Sequence, residues 1–199
     1  RQPWKIRIAE DLRDNAWVTQ PTEFGGAGFH AQWCSRFVHG LRGALIGPED
    51  LSRDMSAVAD AIGHRVTGDA FTRVIYTESH DEVGANNGKR RLPDDIHPGH
   101  ADSWYAKKRS TLGAAIVFTS PGIPMIFQGQ EILEWIPFGD TNHIDWDKYD
   151  RFRGIHTLYR DLIQLRRNWH NKTRGLRGHH VNVFHVNHSD KVVAYHRWE

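Results

Sequence analysis

Three short apolar stretches, each running straight into a crowd of polar residues and each separated from the next by a helical pattern, limit the fold more than any other feature. Trp4-Lys5-Ile6-Arg7-Ile8 alternates apolar and basic residues, a strand signal, and leads into Ala9-Glu10-Asp11. Thr72 to Thr77 is the second strand candidate, with Glu78-Ser79-His80-Asp81-Glu82 at its carboxyl end. Pro124-Met125-Ile126-Phe127-Gln128 reads as a short buried strand ending at Gly129-Gln130-Glu131. Between the first two, Pro48-Glu49-Asp50 suits a helix start, with Leu51, Met55, Val58, Ala59 and Ile62 as its apolar stripe and Gly63 as its stop. Asp102 or Ser103 can cap a second helix from Trp104 to about Phe118, ended by Ser120-Pro121-Gly122. Ile155, Leu158, Leu162 and Leu165 have helical spacing for a third. The residues between them, Asn86 to His100, read as a polar loop.

Strand–helix alternation implies a parallel sheet with helical crossovers, an α/β class. Every polar cluster falls at a strand's carboxyl end, where parallel sheets build their sites. A closed eight-stranded (β/α)8 barrel needs ~250 residues. This chain has 199 and three or four strand–helix units, so the pattern predicts about half of one. Beyond Gly175 the pattern changes. Val181, Val183 and His185, then Val192 to Trp198, alternate around Asn187-His188-Ser189-Asp190, which reads as an antiparallel hairpin of a different kind of domain. Position 1 is Arg, and the last residues stop inside a strand-like stretch, so a piece of a longer protein is expected.

Composition removes several classes. Lys and Arg total 26 against 24 Asp and Glu, a formal charge of +2, so no general polyanion-binding surface and no nucleic-acid partner are expected. With 8 Trp, 9 Phe and 5 Tyr to bury, disorder is excluded as the main state. The best apolar run, Ala114 to Phe118, is far short of the ~18 residues of a membrane span, so no membrane partner is expected. The single Cys34 excludes an internal disulfide framework and fits a reducing, cytoplasmic compartment.

Glu10 is the first candidate for chemistry. A carboxyl at a strand's mouth can serve as general acid when apolar neighbours keep it protonated. Taken alone, a single carboxylate is more often a solvated charge or a helix cap. Glu78, Asp81 and Glu82 around His80 are a stronger signal, because like charges are costly to crowd. With 14 His in the chain, His80, His97 and His100 suggest metal binding, but no His-Glu-x-x-His is present and Pro98-Gly99 breaks helical spacing. No metal and no cofactor are expected. Ser79-His80-Asp81 holds the residue types of a catalytic triad, yet adjacent side chains do not point into one triad, and no Gly-x-Ser-x-Gly elbow exists. Trp135 and Trp146 follow the last strand, where an aromatic face can stack on a sugar or simply pack in the core.

Four motifs, in order, resemble the second half of the alpha-amylase superfamily, glycoside hydrolase family thirteen. They are Ile8-Ala9-Glu10-Asp11, Glu23-Phe24-Gly25-Gly26-Ala27-Gly28-Phe29, Glu78-Ser79-His80-Asp81-Glu82-Val83, and Gly122-Ile123-Pro124-Met125-Ile126-Phe127-Gln128-Gly129-Gln130-Glu131. Asp140 to Trp146 is similar to the family's loop after strand eight. Within the family, the branching type is most similar. The resemblance implies that Trp4–Ala9 is strand five, residues near Gly28–Trp33 strand six, Val74–Thr77 strand seven and Met125–Gln128 strand eight. It implies a barrel portion over 1–178 and the start of a C-terminal all-β domain over 179–199.

The resemblance also implies roles. Glu10 would be the general acid/base, Asp81 a third carboxylate gripping two hydroxyls of a distorted ring, and His80 a hydroxyl ligand. Glu78, Trp135 and Trp146 are further substrate-binding candidates. The family's nucleophilic Asp sits on strand four in a Gly-Phe-Arg-x-Asp pattern, which this sequence lacks. The expected partner is an alpha-1,4-glucan such as glycogen, starch or a maltooligosaccharide. The expected activity is retaining glycosyl transfer that forms branches, with hydrolysis or a non-catalytic glucan-binding role as alternatives.

Overall fold

The computed structural model describes residues 4–199. Four short strands, β1 (Ile8–Ala9), β2 (Ala31–Trp33), β3 (Arg73–Ile75) and β4 (Ile123–Pro124), form one parallel sheet in the order β1-β2-β3-β4. The helices are α1 (Ala16–Thr19), α2 (Ser35–Ile46), α3 (Met55–Gly63), α4 (Leu92–Ile96), α5 (Trp104–Thr119), α6 (Lys148–Arg151) and α7 (Arg153–Arg166). An antiparallel hairpin of β5 (His180–Asn187) and β6 (Val192–Trp198) closes the chain. The expected α/β class and the hairpin are both present. Among the described residues no helix is long and apolar enough to cross a membrane.

Alternation along β3 splits the packing. Ile75 belongs to one buried cluster with Phe37, Leu41 and Leu45 of α2, Ala61 of α3, Leu92 and Ile96 of α4, and Ala106 and Val117 of α5. Val74 and Tyr76 pack instead with Ala31, Trp33, Ile123 and Met125. Sequential parallel order with helical crossovers follows from the right-handed βαβ rule and leaves two outer edges. β1 is paired with β2 and β4 with β3, and β1 and β4 do not meet.

Several expectations need correction. The strand expected from Trp4 to Ile8 is confined to Ile8–Ala9, because the ladder with β2 begins at Ile8 opposite Ala31; Trp4 and Ile6 precede it and are 74% and 73% exposed. The helix expected from Pro48 begins at Met55. Asp54 caps it by accepting from the Ser56 and Ala57 amides, and Leu51 lies in a separate short turn, almost wholly exposed. Within the expected polar loop, Leu92–Ile96 form α4 and bury Leu92, Pro93 and Ile96. The expected strand from Pro124 to Gln128 pairs with β3 only through Ile123–Pro124 and the Met125 amide, which donates to the Ile75 carbonyl at 2.9 Å.

Helix α2 has no counterpart in the sequence reading. Its buried residues Phe37, Val38, Leu41 and Leu45 follow helical spacing, but Gly40 and Gly43 interrupt the signal. Gly40 has a packing reason. A Cβ there would lie 2.8 Å from the Ala57 carbonyl oxygen, so glycine lets α2 and α3 approach closely. The α5 start agrees with expectation, with Ser103 as the cap that accepts from the Ala106 amide.

At the end of the sheet opposite the polar clusters, three guanidiniums converge on the exit of α5. Arg73 is buried and donates to the carbonyls of Ala61, Ile62 and Pro121. Arg166 donates to those of Phe118, Ser120 and Gly122, and Arg197 to that of Thr119. These carbonyls include the groups a helix terminus leaves unpaired, and they carry the negative end of its dipole. Desolvation pulls Arg166 and Arg197 down to about 10. Val181, Val183, Val193 and Tyr195 of the hairpin cover Met55, Val58 and Ile62 of α3.

Candidate active site

Parallel pairing brings the carboxyl ends of the strands to one side. Glu10 follows β1, Trp33 ends β2, and His80 and Asp81 sit on the turn after β3. His80 Nε2 lies 3.2 Å from Glu10 Oε1 and 3.5 Å from Asp81 Oδ1. One imidazole nitrogen thus faces two carboxylates that are 71 residues apart in sequence. All three side chains are roughly half exposed, open to an incoming ligand. Trp33 stands edge-on to the His80 ring at 5.8 Å between centroids, and edge-on to Tyr76 at 5.4 Å. Burial, then the nearby Glu82 carboxylate, pushes the Tyr76 phenol well above its ordinary range. A phenol that stays neutral keeps this wall of the site uncharged.

Such a cluster offers a proton donor or acceptor, a second carboxylate and a hydrogen-bonding imidazole around one open space. One donor atom from each of Glu10, His80 and Asp81 lies within 4.8 Å of the others. A single imidazole with two carboxylates matches neither the nitrogen- and sulfur-rich sets of zinc nor the six to eight oxygens of calcium. Hydroxyl-rich organic ligands suit it better.

The other expected site residues are placed elsewhere. Glu78 is completely buried. Its carboxylate accepts from the Leu92 amide at 2.5 Å and pairs with the buried Arg91 at 2.9 Å. Arg91 also donates to the Gln128 carbonyl and lies over the Phe127 ring. Glu78 therefore joins β3 to the segment after β4 and does not reach the open cluster. Trp135 is half-buried with Lys148 Nζ 3.7 Å from its ring centroid, so one face is already covered. Trp146 is 65% exposed on the loop after β4, its ring open to solvent.

Known proteins resemble this chain in sequence and in fold. The chain is 32% identical over 171 residues to a 1,4-alpha-glucan branching enzyme of Parasynechococcus marenigrum, covering 82% of this chain and 20% of the relative. The chain belongs to the alpha-amylase family. A second relative of this alpha-amylase family chain, the branching enzyme of Oceanobacillus iheyensis, is 28% identical over 165 residues, covering 82% and 25%. The chain spans about a fifth to a quarter of the length of the curated relatives it matches. Among solved structures, an Anoxybacillus pullulanase complexed with maltotriose superposes with TM-score 0.60 at 26% identity, over 83% of this chain and 25% of the other. A Nostoc punctiforme debranching enzyme shares the fold with TM-score 0.62 at 16% identity, over 92% and 38%. No family model matches the chain.

Two features of this alpha-amylase family chain escaped the sequence reading. Trp33 was placed only on an implied strand; no local pattern marks it as a wall of the site. Glu134 carries no motif signal at all, yet it is 2% exposed and fully engaged. Its carboxylate accepts from the amides of Trp135 at 2.7 Å, Ile136 at 2.8 Å and Asp145 at 2.9 Å, and from the Lys148 ammonium. Burial alone would raise its pKa. The Lys148 bond and the Ile136 and Asp145 amides outweigh that and hold the carboxyl below its ordinary 4.5.

A depressed carboxyl contributes stability that is present above the unfolded value and is lost as pH falls through the folded one. Acid titration followed by tryptophan fluorescence is therefore expected to show loosening that begins below pH ~4.5. The Glu134→Gln variant is expected to lack that component of the titration. Superimposable acid curves would remove the assignment.

Proposed function

We propose that these residues are the strand-five-to-eight portion of a (β/α)8 barrel in a retaining enzyme acting on alpha-1,4-glucan, with branch formation as its reaction. Residues 1–178 make up that portion, and 179–199 begin a C-terminal all-β domain. The observation that carries this reading is the convergence of Glu10, His80 and Asp81 at the carboxyl end of a sequentially ordered parallel sheet. The two outer strands that do not meet are what a barrel leaves when its other strands are supplied elsewhere.

In this reading an Asp from outside these residues attacks the anomeric carbon. The new carbon–oxygen bond forms as the glycosidic bond breaks, and Glu10 gives its proton to the leaving oxygen. A glucan hydroxyl then attacks the covalent glycosyl intermediate. Glu10 takes that hydroxyl's proton, and the enzyme carboxylate leaves with configuration retained. Asp81 grips ring hydroxyls most strongly in the distorted, oxocarbenium-like state, and His80 bonds a hydroxyl in both states. A 6-hydroxyl acceptor gives a branch and water gives hydrolysis, so exclusion of water decides between them. The pullulanase likeness favours the hydrolytic variant as the second reading.

The test is reconstitution. The 199 residues alone are expected to give no glucan turnover, and mixing them with the upstream half of the parent enzyme is expected to restore it. Product analysis then separates branching from hydrolysis. Turnover by the 199 residues alone overturns the division of labour. In the restored enzyme, Asp81→Asn is expected to lower turnover on the order of 10²-fold or more while glucan affinity measured without turnover changes little. Equal losses in both would remove Asp81 from its transition-state role.

A further inference from the structure

We propose that Glu134 is a positioning residue, latching the loop after β4 so that this loop holds the turn bearing His80 and Asp81 against Glu10. The inference rests on the glucan-active reading of that cluster.

The latch has two ends. One oxygen of Glu134 accepts from the Trp135 and Ile136 amides and from Lys148, and the other accepts from the Asp145 amide. Residues 134–136 are thereby tied to 145–148, and the stretch between them is pinched into a closed loop. The Glu134 amide also donates to the Gly129 carbonyl at 2.9 Å. Gly129 has φ +84°, and a Cβ there would lie 2.7 Å from the Cβ of Glu134, so the loop's start is packed directly on the latch.

The pinched loop reaches the site through Phe138. Its amide donates to the Val83 carbonyl at 2.8 Å, and its carbonyl accepts from the Ala85 amide at 2.7 Å. Val83 and Glu82 in turn donate to the Ser79 carbonyl at 3.2 and 3.1 Å, which closes the turn containing His80 and Asp81. That turn is therefore held by β3 on one side and by Phe138 on the other. Phe138 is itself braced edge-on against Phe127 at 5.4 Å.

Nothing in the latch touches the open cluster, so Glu134 is not a catalytic residue. Nor does the ion pair by itself account for it, since apolar pairs of similar volume commonly replace buried ion pairs without loss. What a carboxylate adds here is geometry. It gathers three amides and an ammonium onto one point, which no apolar side chain can do.

Two variants of the 199-residue chain test the latch: Glu134→Gln, and Glu134→Leu with Lys148→Met, which removes both charges and leaves no buried ion. The readouts are amide exchange and the His80 ring-proton resonance, which the neighbouring Trp33 ring displaces. In both variants, exchange at Ala85 and Phe138 is expected to rise on the order of tenfold, the strength of a charged hydrogen bond. The His80 resonance is expected to move, and exchange at Ile75 and Val117 in the core to stay unchanged. In the restored enzyme, kcat is expected to fall with KM nearly unchanged. A uniform rise in exchange would make Glu134 merely structural, and an unmoved His80 would sever the latch from the site. Either result overturns the proposal. A latch that passes both spectroscopic tests in an enzyme indifferent to Glu10→Gln would instead refute the glucan-active reading and leave the latch standing.

Discussion

Glu10→Gln in the restored enzyme is expected to remove nearly all turnover while leaving the fold intact. The substitution deletes the proton that the leaving oxygen needs, and general acid–base assistance is worth on the order of 10²–10⁴-fold. Gln keeps the size of the side chain and an oxygen near His80 Nε2, now 3.2 Å from the carboxylate. At 49% exposure the side chain carries little packing, so unfolding midpoints are expected to match the wild type. The decisive control is a substrate with an activated leaving group, such as a nitrophenyl maltooligoside. Its departure needs less protonation, so its first step is expected to be partly spared. Equal loss on both substrates would mean that Glu10 orders the site and does not supply the proton.

Arg91→Met is expected to destabilise the chain by about 3–5 kcal/mol, the cost of leaving a buried charge without its partner. Glu78 is wholly buried, and Arg91 is its only cationic partner among the described residues. The variant also frees the Gln128 carbonyl that Arg91 holds at 2.9 Å. Urea unfolding measures the effect. The double variant Arg91→Met with Glu78→Leu is expected to recover much of the loss, because no ion then remains in the interior. A single variant within 1 kcal/mol of wild type, by the same measurement, would show that Glu78 takes up a proton or finds water.

The contrast between Glu10 and Glu78 marks how far sequence reasoning reached. Both are carboxylates near the carboxyl end of a strand, and both were candidates. Glu10, His80 and Asp81 come together because parallel pairing fixes which strand ends are neighbours, and strand–helix alternation makes that legible in sequence. Glu78 differs by side-chain direction. It precedes the turn and points into the interior toward Arg91, and sidedness so close to a strand's end depends on where pairing stops. Helix α2 was hidden by Gly40, whose value lies in contact with α3. Glu134 was invisible because its partners are backbone amides, which every residue carries and no sequence pattern distinguishes.

The guanidiniums at the exit of α5 give the molecule a direction in which it comes apart. Arg73, Arg166 and Arg197 grip carbonyl oxygens there, and carbonyls do not titrate in acid. At the opposite end the loop after β4 is fastened by Glu134, a carboxylate that does. Acidification therefore releases the Glu134 fastening at one end and leaves the guanidinium–carbonyl contacts of the other in place. Dissolution should begin at the mouth of the site and reach the base last. An acid intermediate of this chain is thus a sheet still anchored at its base, with its strand-end loops released.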